Sequence, residues 1–373
     1  MVTGMTMTFE PTLELLKPVV RRLLDDPSAT PETFAIKALK PGLGNPTSLG
    51  VYRVSGVARS GSGEAVNFSL VVKHLANGLP LMDTSAPTNW NHYRREIEFF
   101  ESPVAARIPA SIAYPRYLGQ SDLADGSCLF WNGDLGDLEK SQWTWDQCLN
   151  AARLVAELNS IDNSDFDKYD WLCRNIVSGW AEFNPGFFDP IYPKYVAAAQ
   201  ATPERAAAFE IYGPFMNRHD LIGSIVEGGR RCFVHGDYNL NNLVAVVNGA
   251  TSLIALDWQL CGVGRVGMEV AAIYNTANEL GVIKNSAELF DEICRVYAER
   301  FNELNPSEPV TLNEVRLAAA AQGYFILLGV SVFLGAPEPD KTDAENAAKV
   351  EGQVDYFSTG PFIEYAAVLH ELL

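Results

Sequence analysis

The stretch that decides the fold is VHGDYNLNNL at residues 234–243, followed by LIALDWQ at residues 253–259. Each polar cluster comes directly after an apolar, strand-like run. The first cluster contains Asp237 and, five positions later, Asn242, and the second contains Asp257. Phosphoryl transfer requires a carboxylate that orients the acceptor hydroxyl, and an amide oxygen with a second carboxylate that hold a metal ion against the phosphates. Hard oxygen ligands of this kind suit Mg²⁺. The spacing therefore predicts a magnesium–nucleotide site, although asparagine and aspartate also form turns and cap helices.

This pattern resembles that of the phosphotransferases related to aminoglycoside and choline kinases, which share the protein-kinase fold. The family signature is His-Gly-Asp, four residues and Asn, then a strand that ends in Asp-Trp or Asp-Phe. The string Asp257-Trp258-Gln259 is also similar to the ecdysteroid-kinase-like branch. The resemblance implies ATP and Mg²⁺ as ligands, Asp237 as the catalytic base, Asn242 and Asp257 as metal ligands, and His235 as a structural brace of the loop.

Composition limits the class of protein. A chain of 373 residues predicts two lobes, which we place at residues 1–132 and 133–373. Hydrophobic residues make up 47% of the chain, as in an ordinary globular enzyme. The net charge of −18 argues against a nucleic-acid binder, which would present a basic face, and against an anionic membrane surface as partner. It is compatible with a cationic acceptor or simply with solubility.

Localisation is predicted to be cytoplasmic. The six cysteines are scattered without a Cys-x-x-Cys pair, which indicates reduced thiols. Residues 1–11 do not have the pattern of a signal peptide. Residues 317–336 are long and apolar enough to suggest a membrane span, but they contain polar residues and lack a basic anchor. We expect a buried helix there.

The small lobe is predicted to begin with strands at residues 33–39, 51–59 and 65–75. Residues 40–50 form a glycine-rich loop between the first two strands, and such a loop can bring backbone N–H groups close to phosphates. Most such clusters are plain turns, so the loop alone is weak evidence. The residues expected to cover the nucleotide are Gly42, Gly44 and Asn45.

Lys73 lies near the end of the third of these strands, and Glu96 lies in a predicted amphipathic helix at residues 90–100. At about 100° per residue, Glu96 borders the apolar face, whereas Glu98 lies farther round and is expected to face solvent. In the family this lysine pairs with the α- and β-phosphates, and the glutamate positions it. The alternatives are a solvated strand end and a surface charge.

The resemblance also implies a hinge between the lobes, in which backbone groups recognise the adenine edge. The residues expected to do so are Phe130, Trp131 and Asn132. The family often carries Glu-Asp-Leu at this place, and Gly133 replaces the glutamate here.

The larger lobe is expected to be mostly helical, with a helix at residues 144–160. An Asn replaces the family's histidine at position 159, which we interpret as a packing difference. Glu269 stands where relatives often have an aspartate, and we expect it to support the following helix through the dipole. The aromatic-rich residues 171–195 are interpreted either as an acceptor pocket or as core, and core is favoured for each residue.

The predicted fold class is α+β and bilobal, with a five-stranded antiparallel sheet and then a helical lobe. The predicted function is an ATP- and Mg²⁺-dependent kinase acting on a small-molecule hydroxyl acceptor. The main alternative is a non-catalytic nucleotide-binding pseudokinase, and a metal-dependent hydrolase is a remote third. The sequence makes no prediction of oligomeric state.

Overall fold

The computed structural model describes residues 10–39, 47–77, 84–136, 143–183, 192–245, 253–284, 286–335 and 341–373. The strands of this part are β1 Thr30–Leu39, β2 Ser48–Arg59, β3 Ala65–Leu75, β4 Ile112–Ala113, β5 Tyr117–Asp122, β6 Cys128–Gly133, β7 Arg231–Val234, β8 Leu243–Ala245, β9 Leu253–Ala255 and β10 Gly262–Arg265. Its helices are α1 Leu13–Leu23, α2 Arg95–Glu101, α3 Trp145–Asn159, α4 Ile176–Phe183, α5 Tyr192–Ala199, α6 Pro203–Tyr212, α7 His219–Val226, α8 Val270–Glu279, α9 Ala287–Leu304, α10 Leu312–Gly335, α11 Asp343–Thr359 and α12 Phe362–Leu372.

The small lobe is built on one antiparallel sheet of five strands in the order β1-β2-β3-β6-β5. One face of this sheet packs on α1 through an apolar cluster that includes Leu16, Val20, Val72 and Trp131. The other face carries Lys73 and packs on α2. The sheet therefore has one closed face and one face that turns toward the larger lobe.

The larger lobe has its own core, which is formed mainly by the helices from α3 to α12. Helix α3 packs on α9 at its centre, and Ala152, Val155 and Ala156 are fully buried along one side. A capping box at Thr144 and Gln147 fixes where α3 begins. Two small sheets, one of β7 and β10 and one in the order β4-β9-β8, hold the loops that carry Asp237 and Asp257.

The predicted α+β bilobal fold is confirmed, with two differences in the small lobe. Helix α2 begins at Arg95 and not at residue 90, because residues 86–94 form successive turns. Helix α1 was not predicted, although Thr12 caps its N-terminus and Leu16, Val19 and Val20 share its buried face.

The long apolar segment behaves as expected of a core helix. The described side chains of α10 are largely buried, for example Ala318, Tyr324 and Leu328. In the described part of the chain, no helix has the length and hydropathy of a membrane span. The six cysteines are all buried free thiols.

Candidate active site

Three charged side chains from three elements meet at the open face of the sheet. Lys73 Nζ on β3 lies 2.6 Å from Glu96 Oε2 on α2 and 2.8 Å from Asp257 Oδ1 after β9. The second oxygen of Glu96 accepts a hydrogen bond from the Trp258 backbone N–H at 3.2 Å. The structure therefore brings together the lysine, the glutamate and one of the aspartates that the sequence singled out.

The electrostatics of this cluster follow from burial and mutual charge. Burial raises the pKa of Glu96 above its usual value, and the nearby Lys73 opposes that shift. Burial acts on Asp257 in the same direction, but the charge and hydrogen bond of Lys73 outweigh it, so the pKa of Asp257 is lowered. Burial disfavours the charged lysine, yet the two carboxylates more than compensate and raise its pKa. Lys73 therefore stays an ammonium ion.

Asp237 is held by two amide side chains of its own loop. Asn239 Nδ2 donates to Asp237 Oδ1 at 2.7 Å, and Asn242 Nδ2 donates to Asp237 Oδ2 at 2.7 Å. Burial, followed by the charge of Asp257, raises the pKa of Asp237 to about 6. A carboxylate with this pKa is ionised at neutral pH and is more basic than an exposed one, which suits a proton acceptor.

The turn that presents Asp237 depends on Gly236. Its φ is +85°, and a Cβ at this position would lie 2.2 Å from the backbone oxygen of Leu260. Both the left-handed backbone and the close approach exclude a side chain there. The glycine of the His-Gly-Asp motif is therefore required by geometry.

Asn242 and Asp257 are brought side by side by the β8–β9 pairing. The Leu256 backbone N–H donates to the Asn242 backbone oxygen at 2.8 Å, which places Asp257 next to the asparagine. Because Nδ2 of Asn242 is turned toward Asp237, its Oδ1 is the atom left for a ligand. Asp257 adopts φ +64°, ψ +68°, a conformation that a non-glycine residue rarely takes, and its side chain is 41% exposed.

An amide oxygen and a partly exposed carboxylate are hard donors, and Mg²⁺ takes few protein ligands and keeps several waters. The donor set therefore fits Mg²⁺. No cluster of three or more His, Cys, Asp or Glu side chains with metal-site geometry occurs among the described residues.

Glu269 supports the loop of Asp237 directly, which the sequence did not show. Its Oε1 accepts a hydrogen bond from the Gly236 backbone N–H at 2.9 Å, and its Oε2 accepts one from Asn159 Nδ2 at 3.1 Å. Asn159 also donates to the Phe233 backbone oxygen, and it accepts from the Tyr297 hydroxyl. The asparagine at 159 is thus part of the support for the loop and not a packing substitution.

His235 is fully buried beneath the loop. The Asp237 backbone N–H donates to His235 Nδ1 at 3.3 Å, and the histidine ring lies 4.4 Å from the Trp258 ring. Burial lowers the pKa of His235 to about 4, so the ring is neutral. Through these contacts His235 supports the backbone of the loop that carries Asp237.

Arg95 is the most connected side chain behind the site, and no sequence signal pointed to it. It is completely buried. Its guanidinium donates to the backbone oxygens of Trp171 at 2.6 Å and of Gln259 at 3.0 Å, both in the larger lobe. It also donates to Trp90 and Asn89 in the turns before α2. Arg95 therefore ties the helix of Glu96 to the loop of Asp257.

The residues predicted to form the hinge lie inside the sheet. Residues 130–132 lie within β6, which pairs on one side with β3 and on the other with β5. Backbone groups in a central strand alternate between the two neighbouring ladders, so those of Phe130, Trp131 and Asn132 are engaged. The first backbone beyond the sheet is at 134–136. The sequence missed this because strand pairing on both sides must be known to place the end of a ladder.

The remaining predicted residues are the glycine-rich loop, the aromatic residues and Glu98. Gly42, Gly44 and Asn45 lie outside the described residues. Of the aromatic residues expected near an acceptor, Trp171 and Tyr195 are 7% and 1% exposed and belong to the core. Glu98, expected in solvent, is half-buried, and its Oε2 lies 3.3 Å from His92 Nε2.

The chain is similar to known phosphotransferases. The model of the phosphotransferase enzyme family, APH, matches residues 146–306, which include both motif loops. Amicoumacin kinase hAmiN, solved with AMP-PNP, Ca²⁺ and Ami, shares the fold with a TM-score of 0.50 at 11% identity over 87% of each chain. A GDP complex of an aminoglycoside 2'-phosphotransferase IIIa gives 0.49 at 11% identity, covering 94% of this chain and 99% of that one. Hygromycin B-bound APH(4)-Ia with ADP gives 0.43 at 14% identity, covering 87% and 93%. A search of curated proteins gave no match.

The fold and the family match define a class. The protein is a small-molecule phosphotransferase with a kinase-like fold. Over its larger lobe it resembles the APH phosphotransferase enzyme family, as the motifs at 235–259 predicted.

Proposed function

We propose that the protein transfers the γ-phosphate of ATP to a hydroxyl group of a small molecule, with Mg²⁺ held by Asn242 and Asp257. The observation that carries this proposal is the cluster in which Lys73 contacts both Glu96 and Asp257. A lysine held by a glutamate beside a metal-binding aspartate is the arrangement that positions a triphosphate in kinases. Mg²⁺, when bound, neutralises charge on the phosphates.

In this proposal each residue has one role. Lys73 binds the phosphates, and Glu96 holds Lys73 in place. Asp237 orients the acceptor hydroxyl and takes its proton as the oxygen bonds to phosphorus and ADP leaves. Asn239 and Asn242 keep the carboxylate of Asp237 in its orientation through their hydrogen bonds.

We also propose that the two lobes divide at residues 132 and 133, and that the nucleotide lies between them. The end of β6 at Gly133 supports this boundary. Gly42, Gly44 and Asn45 remain the residues proposed to cover the phosphates, and the segment 134–136 replaces the strand backbone as the proposed hinge.

For the acceptor we propose a neutral or weakly charged alcohol with a substantial apolar body. The proposal is based on the aromatic-rich composition of residues 171–195, because pockets with such walls bind mainly by apolar burial. The burial of Trp171 and Tyr195 removes these two rings from the pocket wall.

The test is a phosphorylation screen with MgATP and a panel of amino alcohols, aminoglycosides, macrolides, sterols and sugars, with product detected by mass and by ³¹P NMR. A monophosphorylated acceptor formed by the wild type and not by Asp237→Ala supports the proposal. Tight MgATP binding with no product from any acceptor would instead indicate the pseudokinase alternative.

A further inference from the structure

The side chain of Asn132 has an unusual environment. It is 7% exposed, and its Oδ1 is buried without a hydrogen-bond partner in the part of the chain that the structure describes. Leaving a buried polar atom unpaired is unfavourable, and such atoms in native proteins call for an explanation. An apolar residue at this position of a β-sheet would avoid the cost.

The position of Asn132 on the sheet indicates what the amide faces. In the β3–β6 ladder Lys73 pairs with Phe130, and Val71 pairs with Asn132. Directly opposed residues of an antiparallel pair point to the same face, and residues two apart on a strand share a face. Asn132 therefore lies on the face of Lys73, two residues closer to the end of β6 than Phe130.

Neighbouring contacts support this orientation. The Phe130 ring is 6.0 Å from Lys73 Nζ and stacks with Phe100 of α2. Tyr117, the partner of Asn132 on β5, stacks on Phe130 on this same face. The opposite face, which carries Trp131, is filled by α1. The amide thus lies on the cleft side of the sheet, between the phosphate-binding lysine and the connection to the larger lobe.

A nucleotide whose phosphates lie at Lys73 would place its base along this strip of the sheet. Resting on the proposed function, we propose that Asn132 recognises the 6-substituent of the purine base through its side chain. Its Oδ1 accepts a hydrogen bond from the 6-amino group of adenine. After a turn of the amide, Nδ2 donates to the 6-oxo group of guanine. The strand backbone at 132 is engaged in the sheet, so the contact comes from the side chain.

The chemistry of the amide gives a sharp test with three purine triphosphates and two variants. ATP carries a donor at C6, GTP carries an acceptor, and purine riboside 5'-triphosphate carries only hydrogen. For the wild type, kcat/KM with ATP should exceed that with purine riboside triphosphate by about tenfold, the value of one hydrogen bond. In Asn132→Leu this ratio should fall to about one, and thermal stability without nucleotide should be unchanged or higher, since an unpaired polar atom has been removed.

Asn132→Asp provides the second measurement, which can be interpreted even if Asn132→Leu does not fold. A carboxylate accepts but does not donate, so the variant should keep ATP and lose GTP, with the GTP/ATP ratio of kcat/KM falling at least about tenfold. ATP-to-purine riboside and GTP-to-ATP ratios that are the same in wild type and variants would overturn the role of Asn132 while leaving the phosphotransferase proposal intact. A wild-type protein that binds and uses none of the three triphosphates would overturn both.

Discussion

The nucleotide side and the acceptor side of the cleft are built in different ways. On the nucleotide side, charged and amide groups of β3, α2 and the two motif loops are matched within 2.6 to 3.2 Å. In residues 171–195, the region proposed for the acceptor, Trp171 and Tyr195 are buried as packing mass. Specific polar contacts define the first region, whereas hydrophobic packing holds these two rings of the second. The comparison indicates that specific residue types define the polar cluster, while an aromatic-rich composition does not by itself place a pocket wall.

The largest effect is expected at Asp237. Asp237→Ala removes the group that orients the hydroxyl, and kcat should fall by about 10²-fold or more, while MgATP affinity changes little. Steady-state kinetics and calorimetry with MgATP measure the two quantities. Asp167→Ala, at an exposed aspartate, is the matched control and should leave both near wild type. If Asp237→Ala retained more than about a tenth of the wild-type kcat, Asp237 would not be the group that orients the acceptor hydroxyl.

The link between the two sides is tested at Arg95. Arg95→Met removes the donor to four backbone carbonyls. Those of Asn89 and Trp90 keep a second donor, whereas those of Trp171 and Gln259 are in buried hydrogen bonds. Each unpaired buried group costs about 1–3 kcal/mol, so the free energy of unfolding should fall by at least about 2 kcal/mol.

The neighbouring Arg94→Met serves as control, because Arg94 forms a partly exposed pair with Asp122 and should matter by about 1 kcal/mol or less. Urea unfolding measures both. Equal destabilisation by the two variants would show that the buried guanidinium does not hold α2 against the larger lobe.

A pH-dependent effect is expected at Glu269. Burial raises its pKa in the folded protein to about 7, from an ordinary value of 4.5. Between these two values the folded state binds more protons than the unfolded state. The stability due to this group is therefore fully present below pH 4.5 and is lost as pH rises through 7. The loss amounts to roughly 3 kcal/mol.

The free energy of unfolding of wild type minus that of Glu269→Gln should thus fall by this order between pH 4.5 and 8. Unfolding curves across that range measure it. Glu204→Gln, in the exposed first turn of α6, should show no such trend. If the difference in free energy of unfolding between wild type and Glu269→Gln did not change with pH, Glu269 would not be the buried carboxylate that supports the Gly236 turn.

The smallest effect is expected on the acceptor side. Binding of an apolar alcohol involves little charge pairing, so its KM should change by less than about twofold between low and moderate salt. A polycationic acceptor whose KM rose steeply with salt would show that the acidic charge of the chain is focused on the pocket. In that case both sides of the cleft would bind their ligands through charged groups.

The contact between Lys73 and Glu96 could be predicted because it is made by specific residue types at fixed spacings. Lys73 and Glu96 lie on elements whose faces could be counted, and the loop of Asp237 and Asn242 is local. Arg95 was missed because its partners are backbone carbonyls as far as 164 positions away, and a backbone carbonyl leaves no trace in a sequence. Asn159 and Glu269 were assigned to packing and to a helix end, since their shared target, the catalytic turn, becomes apparent only when α3, α8 and β7 are assembled. The hinge register depended on knowing that β6 is a central strand.

The central claim is that Lys73, Glu96, Asn242 and Asp257 form one metal–nucleotide site. Calorimetric titration of ATP into the wild type and into Asp257→Asn, each with and without Mg²⁺, tests it most directly. The account predicts that Mg²⁺ tightens ATP binding to the wild type by at least about tenfold, as expected if the metal bridges Asp257 and the phosphates. This enhancement should be largely lost in Asp257→Asn. ATP affinities that are the same in all four titrations would contradict the claim.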